Sequence, residues 1–222
     1  MRIYHGSGVV VEKPEYEKGK LYNDYGRGFY CTEDIDLARE WSVDVLRDGY
    51  VNAYNLNCNN LKVLNLNSEE HCILHWISIL LQNRKFELET PLAQEAYRFL
   101  KENYSPDLNG VDIIRGYRAD DSYFSYAQDF VNGVISVSQL KEAMLLGSLG
   151  EQIVLHSKKA FQNIQYVGCE GTSAAVWYEK KKKRDEAARF AYREMSKKTY
   201  QKGELYMPQI IDQEVKKDDP RL

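Results

Sequence analysis

The chain lacks paired cysteine spacing, long apolar runs and any marked excess of one charge, and each absence narrows what it can be. Its four cysteines, Cys31, Cys58, Cys72 and Cys169, are scattered with no Cys-x-x-Cys among them. Cys31 and Cys58 fall in segments that read as strands, so the thiols are expected to be reduced and packed, as suits a cytoplasmic protein. No apolar stretch approaches the roughly 20 residues that a membrane span needs. The chain opens on Met1-Arg2-Ile3-Tyr4, which reads as a strand in place of a signal peptide. Thirty Lys and Arg against 33 Asp and Glu leave a net charge of -3, so nothing global recruits nucleic acid. There is no Gly-x-Gly-x-x-Gly and no Gly-Lys-Ser/Thr, which removes the Rossmann and triphosphate-hydrolysing readings. No internal repeat or low-complexity linker is present.

What is present suits one domain with a full core and an appendage in 222 residues. Arg2 to Ser7 alternates as a short strand ending at His5, Gly6 and Ser7, and a charged loop then runs from Pro14 to Lys20. Thr32-Glu33-Asp34 signals a helix start, and Leu37, Ala38, Trp41, Val45 and Leu46 predict a helix from about 34 to 47. Residues 50–56 and 61–66 alternate as two strands and read as a hairpin. Ser68-Glu69-Glu70 is expected to cap a buried helix through Leu81. That helix carries His71, Cys72 and His75, and an i, i+4 histidine pair can hold a metal; with no third ligand placed, packed or surface histidines are the expected reading. Further helices are expected after Thr90-Pro91, over Ser122–Val131 and after Ser136, with strands at 110–117, at 152–156 and near 166–167. Strands interrupted by helices without strict βαβ alternation predict an α+β fold. Ala174 to Lys198 reads as one long helix with a Lys180–Arg184 basic run, followed by a short apolar segment at 206–211 that must dock somewhere.

The most informative stretch is Tyr25-Gly26-Arg27-Gly28-Phe29-Tyr30-Cys31-Thr32, read with Tyr4-His5-Gly6-Ser7. Two glycines around one residue permit a tight turn, and Phe29 and Tyr30 face opposite sides of the strand that follows. Eleven residues on, Trp41 offers a second large ring. Taken alone these aromatics suit a core as well as a ligand platform.

In order and spacing, these motifs, followed by Gly150-Glu151-Gln152-Ile153-Val154-Leu155, resemble the catalytic domain of the ADP-ribosyltransferases. The similarity is to the His-Tyr-Glu branch of the poly(ADP-ribose) polymerases and diphtheria-type toxins, and within it to an uncharacterised bacterial family found beside antitoxin-like genes. It implies an ADP-ribosyltransferase fold over residues 1–168, with two packed, mainly antiparallel sheets and inserted helices, and a helical C-terminal extension over 169–222. It also implies NAD as substrate, with one ADP-ribose transferred to a protein or nucleic acid by a toxin that a protein antitoxin neutralises. An NAD glycohydrolase and a non-catalytic NAD- or ADP-ribose-binding module are the alternatives.

The resemblance also assigns roles. His5 would hydrogen-bond a ribose hydroxyl on the adenosine side, and the Gly6 backbone would bind the nicotinamide carboxamide. Tyr30 and Trp41 would sandwich the nicotinamide, with about 0.5 to 2 kcal/mol from each aromatic face. Ser7 would supply a nearby hydroxyl and Arg27 would meet the pyrophosphate. The polymerases commonly carry a carboxamide-binding serine where this chain has Ala38. Their catalytic glutamate aligns with Gln152, and Glu151 immediately precedes it. Because strand side chains alternate, only one of the two faces the pocket, and the apolar Ile153 and Leu155 put Glu151 on the other side. Gln152 is therefore expected inward, which favours single transfer over chain elongation. Arg118, Asp120 and Asp121, on a polar turn, are candidates for assisting residues.

Overall fold

The computed structural model describes residues 1–119, 121–146, 150–197 and 200–222. It is a mixed α+β fold with two sheets and several helices. In the first sheet β1 (Arg2–Ser7), β3 (Gly49–Leu56) and β7 (Ile164–Thr172) run antiparallel in the order β1-β3-β7. The second has the order β2-β6-β5-β4, from β2 (Phe29–Cys31), β4 (Val63–Asn65), β5 (Ile113–Tyr117) and β6 (Glu151–Leu155). Its pairs are antiparallel except β4 with β5. Tyr4 and Thr32 exchange both backbone hydrogen bonds, at 2.8 and 2.9 Å, and tie β1 to the end of β2.

Ile3, Cys31, Tyr54, Leu56, Ile113, Ile153, Leu155 and Ala160 fill the space between the sheets. The opposite face of the second sheet, where Ile114 and Val154 point, meets a larger core built mainly from helices: α2 (Ile73–Asn83), α3 (Pro91–Tyr104), α4 (Asp121–Val131), α5 (Val137–Leu145), α7 (Ala174–Ser196) and α8 (Met207–Asp212). Two short helices complete the chain, α1 (Ile35–Ser42) against β1 and α6 (Lys158–Gln162) before β7. No helix among the described residues is long and apolar enough to cross a membrane.

Local chemistry explains most boundaries. Asp34 caps α1 by accepting from Asp36 and Leu37, Thr90 caps α3 with Pro91 at its first position, and Ser136 and Gln139 close a capping box on α5. Several expectations need correction. The helix expected to reach residue 47 stops at Ser42, because Asp44 and Arg47 exchange backbone hydrogen bonds and turn the chain into β3. Val45 and Leu46 are consequently exposed, against the helical periodicity that placed them in a core. The expected 50–56/61–66 hairpin does not form: β3 pairs with β1 and β7, whereas β4 lies in the other sheet, parallel to β5. Alternation identifies a strand without naming its neighbour. The α2 cap is Cys72 and not Ser68, and Cys58 lies outside the strands. His75 serves this cap, its Nδ1 accepting from the Cys72 amide at 3.0 Å. No group of three or more metal-ligating side chains occurs among the described residues.

The C-terminal segment is built into the molecule. Strand β7 continues through residue 172, past the 168/169 boundary read from the sequence motifs. Ala188, Tyr192, Met195, Met207, Ile210 and Val215 then bury in the same core as α2 to α5. The apolar segment at 206–211 docks as α8, with Met207 and Ile210 fully buried. Deleting the residues after Gly171 is therefore expected to yield an insoluble or unfolded chain. Met207→Ala, which empties a packed site, is expected to cost about 2 to 5 kcal/mol in urea unfolding; a variant with wild-type stability would show that α8 is only loosely attached.

Candidate functional site

A cavity of about 730 Å³ lies where β1, β2 and β6 approach one another beneath α1 and α7. The pairing of Tyr30 with Val154 sets β2 beside β6, and the pairing of Gly116 with Gln152 sets β6 beside β5. The cross-link from Tyr4 to Thr32 brings His5 to the same place. Four of the residues predicted from the motifs, His5, Tyr30, Trp41 and Gln152, thus line one cavity, although they are spread over more than 140 positions.

Gly6, Ser7 and Arg27 do not line it. Gly6 is occupied with packing: a Cβ there would lie 2.0 Å from the Ala38 carbonyl oxygen and 2.8 Å from the Ser42 amide, so only glycine lets β1 approach α1 this closely. The Ser7 hydroxyl donates to the Val9 carbonyl at 2.5 Å. Arg27 is exposed, at the tip of the glycine turn. Arg118 lines the cavity, whereas Asp120 and the side chain of Asp121 lie outside the described residues.

Each of the four side chains is held in a defined state. The His5 Nδ1 lies 2.7 Å from the Tyr30 carbonyl oxygen, and since a carbonyl only accepts, Nδ1 carries the proton. Burial lowers the His5 pKa, with the Tyr30 hydrogen bond opposing it, so the ring is neutral and Nε2 remains an acceptor. Its ring also packs on Phe29, with centroids 4.4 Å apart. The Tyr30 hydroxyl donates to the Gly26 carbonyl at 2.6 Å and accepts from the Tyr25 amide at 3.1 Å. It closes the turn that Gly26, at φ +73°, makes possible, and burial pushes its pKa well up. Trp41 carries the Arg118 guanidinium over its ring at 4.9 Å, and its buried Nε1 has no hydrogen-bond partner among the described residues.

Gln152 is 4% exposed. Its Nε2 donates to Asp24 Oδ2 at 2.9 Å, and its Oε1 has no partner among the described residues. Glu151 points to the other face of β6, where it accepts from Arg115 Nε at 2.5 Å and Asn67 Nδ2 at 2.6 Å. Arg115 also pairs with Glu33 at 3.0 Å. That network satisfies the glutamate away from the cavity.

Asp24, Arg84 and the α7 wall are site residues that the sequence did not reveal. Asp24 is buried and accepts from Arg84 Nη1 at 2.8 Å, the Ala119 amide at 2.8 Å and Gln152. Burial raises its pKa, and these donors pull in the opposite direction. Arg84 in turn lies over the Phe124 ring at 5.0 Å. Lys181, Asp185 and Arg189 recur every four residues and present one stripe of α7 to the cavity. Arg184, paired with Glu40 of α1 at 2.9 Å, holds this helix in place. Lys13, Lys18 and Lys20 complete the rim from the loop before the glycine turn. That loop is anchored by Asn52 Oδ1, which accepts from the Val11 amide at 2.8 Å. The lining is rich in cations although the chain is net acidic, so the cavity suits an anionic ligand.

The unfolded His5 titrates near 6.5 and the folded one lower, so the unfolded chain takes up the proton first. The His5 contribution to stability is complete above that value and is lost as the pH falls below it. Urea midpoints of the wild type and His5→Gln between about pH 8 and pH 5 should therefore converge on the acid side; parallel curves would refute the buried neutral histidine. Arg84→Ala strips one donor from a buried carboxylate and is expected to cost about 3 kcal/mol at neutral pH, with a smaller loss in acid, where Asp24 takes up a proton.

Among known proteins, no curated sequence and no solved structure matches the chain. A family model does match, over residues 1–166, so that all four cavity-lining residues predicted from the motifs fall within it and α7 outside. The chain belongs to that family, described as a protein of unknown function, DUF3990.

Proposed function

We propose that the chain is an NAD-dependent mono-ADP-ribosyltransferase of the ADP-ribosyltransferase fold, which moves one ADP-ribose to a macromolecule and serves as the toxin of a toxin–antitoxin pair. The observation that carries the reading is the convergence of His5, Tyr30, Trp41 and Gln152 on one cavity with a basic wall. Two buried polar atoms of these cavity-lining residues, Gln152 Oε1 and Trp41 Nε1, lack partners among the described residues. They fit a ligand that supplies a donor to one and an acceptor to the other.

In this reading the glycosidic bond between C1′ and the nicotinamide nitrogen breaks, and nicotinamide leaves with the bonding electron pair. Cationic character develops on the ribose, and the nucleophile of the acceptor bonds to C1′ and loses its proton to solvent. The protein's contribution is positioning and electrostatics. The cationic ring stacks on Trp41 in place of the Arg118 guanidinium that lies over it, and Tyr30, fixed by its hydroxyl, forms a rigid wall. His5 Nε2 accepts from a ribose hydroxyl. Gln152 Oε1 accepts from the 2′-hydroxyl and turns the negative end of its dipole toward the developing cation. Arg84, Lys181 and Arg189 offer positive charge to the pyrophosphate. A neutral amide stabilises the cation less than a carboxylate and cannot serve as a base, so chain elongation is not part of the proposal. The same amide favours, as a second reading, a module that binds NAD without turning it over.

Incubation with labelled NAD and a cell extract distinguishes these readings. Label is expected to enter a macromolecule with the wild type, and to fall by at least about 100-fold with His5→Ala, Tyr30→Ala and Gln152→Ala. Nicotinamide release without incorporation would indicate a glycohydrolase. Saturable NAD binding with no product would leave the binding module.

A further inference from the structure

We propose that Asp24 is a positioning residue whose carboxylate fixes which end of the Gln152 amide faces the ligand. The inference rests on NAD as the substrate. It concerns how this chain manages with glutamine where the ADP-ribosyltransferase motif carries glutamate.

A glutamine amide can present its oxygen or its nitrogen to a pocket, because the two orientations have nearly the same shape. Something must choose between them. Among the described residues the hydrogen-bonded neighbours of Asp24 are donors: Arg84 Nη1 to Oδ1, and the Ala119 amide and Gln152 Nε2 to Oδ2. A group surrounded by donors is held as an acceptor, and an acceptor at Oδ2 can bind only the NH₂ end of Gln152. Oε1 is then directed away from Asp24, and in a side chain that lines the cavity it has no partner among the described residues. A buried amide oxygen left in this way is an acceptor awaiting a ligand donor.

The arrangement also passes charge along. Asp24 bears on the NH₂ end of the amide, and the resulting polarisation increases electron density on Oε1. Carboxylate and amide together therefore offer the ribose a directed negative end, while the formal charge remains one residue removed. Asp24 is itself held from several sides. Arg84 follows α2, the Ala119 amide and the nearby Arg118 charge follow β5, and Gln152 lies on β6, so its position is set by elements that the fold has already fixed. Glu151 cannot take the role, since Arg115 and Asn67 hold it on the opposite face of the strand.

The test is an exchange of the two groups. Nicotinamide release from NAD, NAD affinity by calorimetry and the thermal midpoint of the ligand-free protein are measured for the wild type, Asp24→Asn, Gln152→Glu and the double variant. In Asp24→Asn an amide replaces the carboxylate and the orientation of Gln152 is no longer imposed. The kcat should fall on the order of 10- to 100-fold, the size usual when an orienting partner is lost, while KM changes by less than about threefold. Gln152→Glu sets two carboxylates against each other and should also lose turnover. The double variant restores one amide and one carboxylate in hydrogen-bond contact, now with the carboxylate toward the ligand, and should recover release to at least the wild-type level.

Wild-type turnover with Asp24→Asn unimpaired would overturn the proposal alone, as would a double variant that regains the wild-type midpoint but not turnover. A wild type that neither binds nor cleaves NAD would overturn the NAD reading, and the proposal with it. Should Asp24→Asn fail to fold, the double variant compared with Gln152→Glu decides the same question, because only an orienting contact predicts rescue.

Discussion

Strand β6 lies between β2 and β5, and its alternating side chains serve two environments at once. Ile153 and Leu155 fill the layer between the sheets, and Val154 enters the helical core. Gln152 shares the alternation of Val154, which leaves it buried at the cavity, while Glu151 falls on the opposite side within reach of Arg115. A slip of one residue would exchange these sets, turning Ile153 and Leu155 out of the layer between the sheets and Gln152 away from the cavity. The hydrophobic demand of two cores therefore fixes which polar residue the site receives. The site chemistry is in this sense set by packing.

The cavity is then closed by parts of the chain that carry none of the resembling motifs. Helix α7 lies against α1 through Arg184 and Glu40 and contributes a stripe of charged residues to the wall. Its apolar side reaches the main core through Ala188, Tyr192 and Met195. A basic run that would suit a solvated surface is thus divided: Lys180, Lys182 and Lys183 are exposed, whereas Lys181 and Arg184 are partly buried toward the body of the protein. An anionic ligand would meet positive charge from the loop before the glycine turn, from the α2 end, from Arg118 after β5 and from α7, four sources with no common sequence signature. If the proposed function holds, the C-terminal helix belongs to the catalytic unit.

Much of the local structure was legible in the sequence. A long helix beginning at Ala174, the start of α3 at Thr90-Pro91, a helix opening after Ser136 and the inward placement of Gln152 follow from short-range rules of spacing and capping. The errors share a cause. Val45 and Leu46 have helical spacing but belong to a turn, and β4 has a strand pattern but a partner some 50 residues away. Periodicity reports a conformation and a buried face, and it carries no information about the partner that covers that face.

The sequence by itself determined where most of the helices and strands lie, and which aromatic and histidine residues converge on a cavity. Only the tertiary structure decided that Asp24, Arg84, Ala119 and Gln152 form one hydrogen-bonded cluster, that Gly6 and Ser7 are occupied elsewhere, and that Arg27 is exposed outside the cavity. In the sequence Asp24 is one more polar residue in a polar loop. Its burial and its three donors exist only after a turn, the end of α2 and two neighbouring strands have been brought together. Hydrogen bonds act over about 3 Å, and no local pattern in the chain records which distant donors will come within that distance.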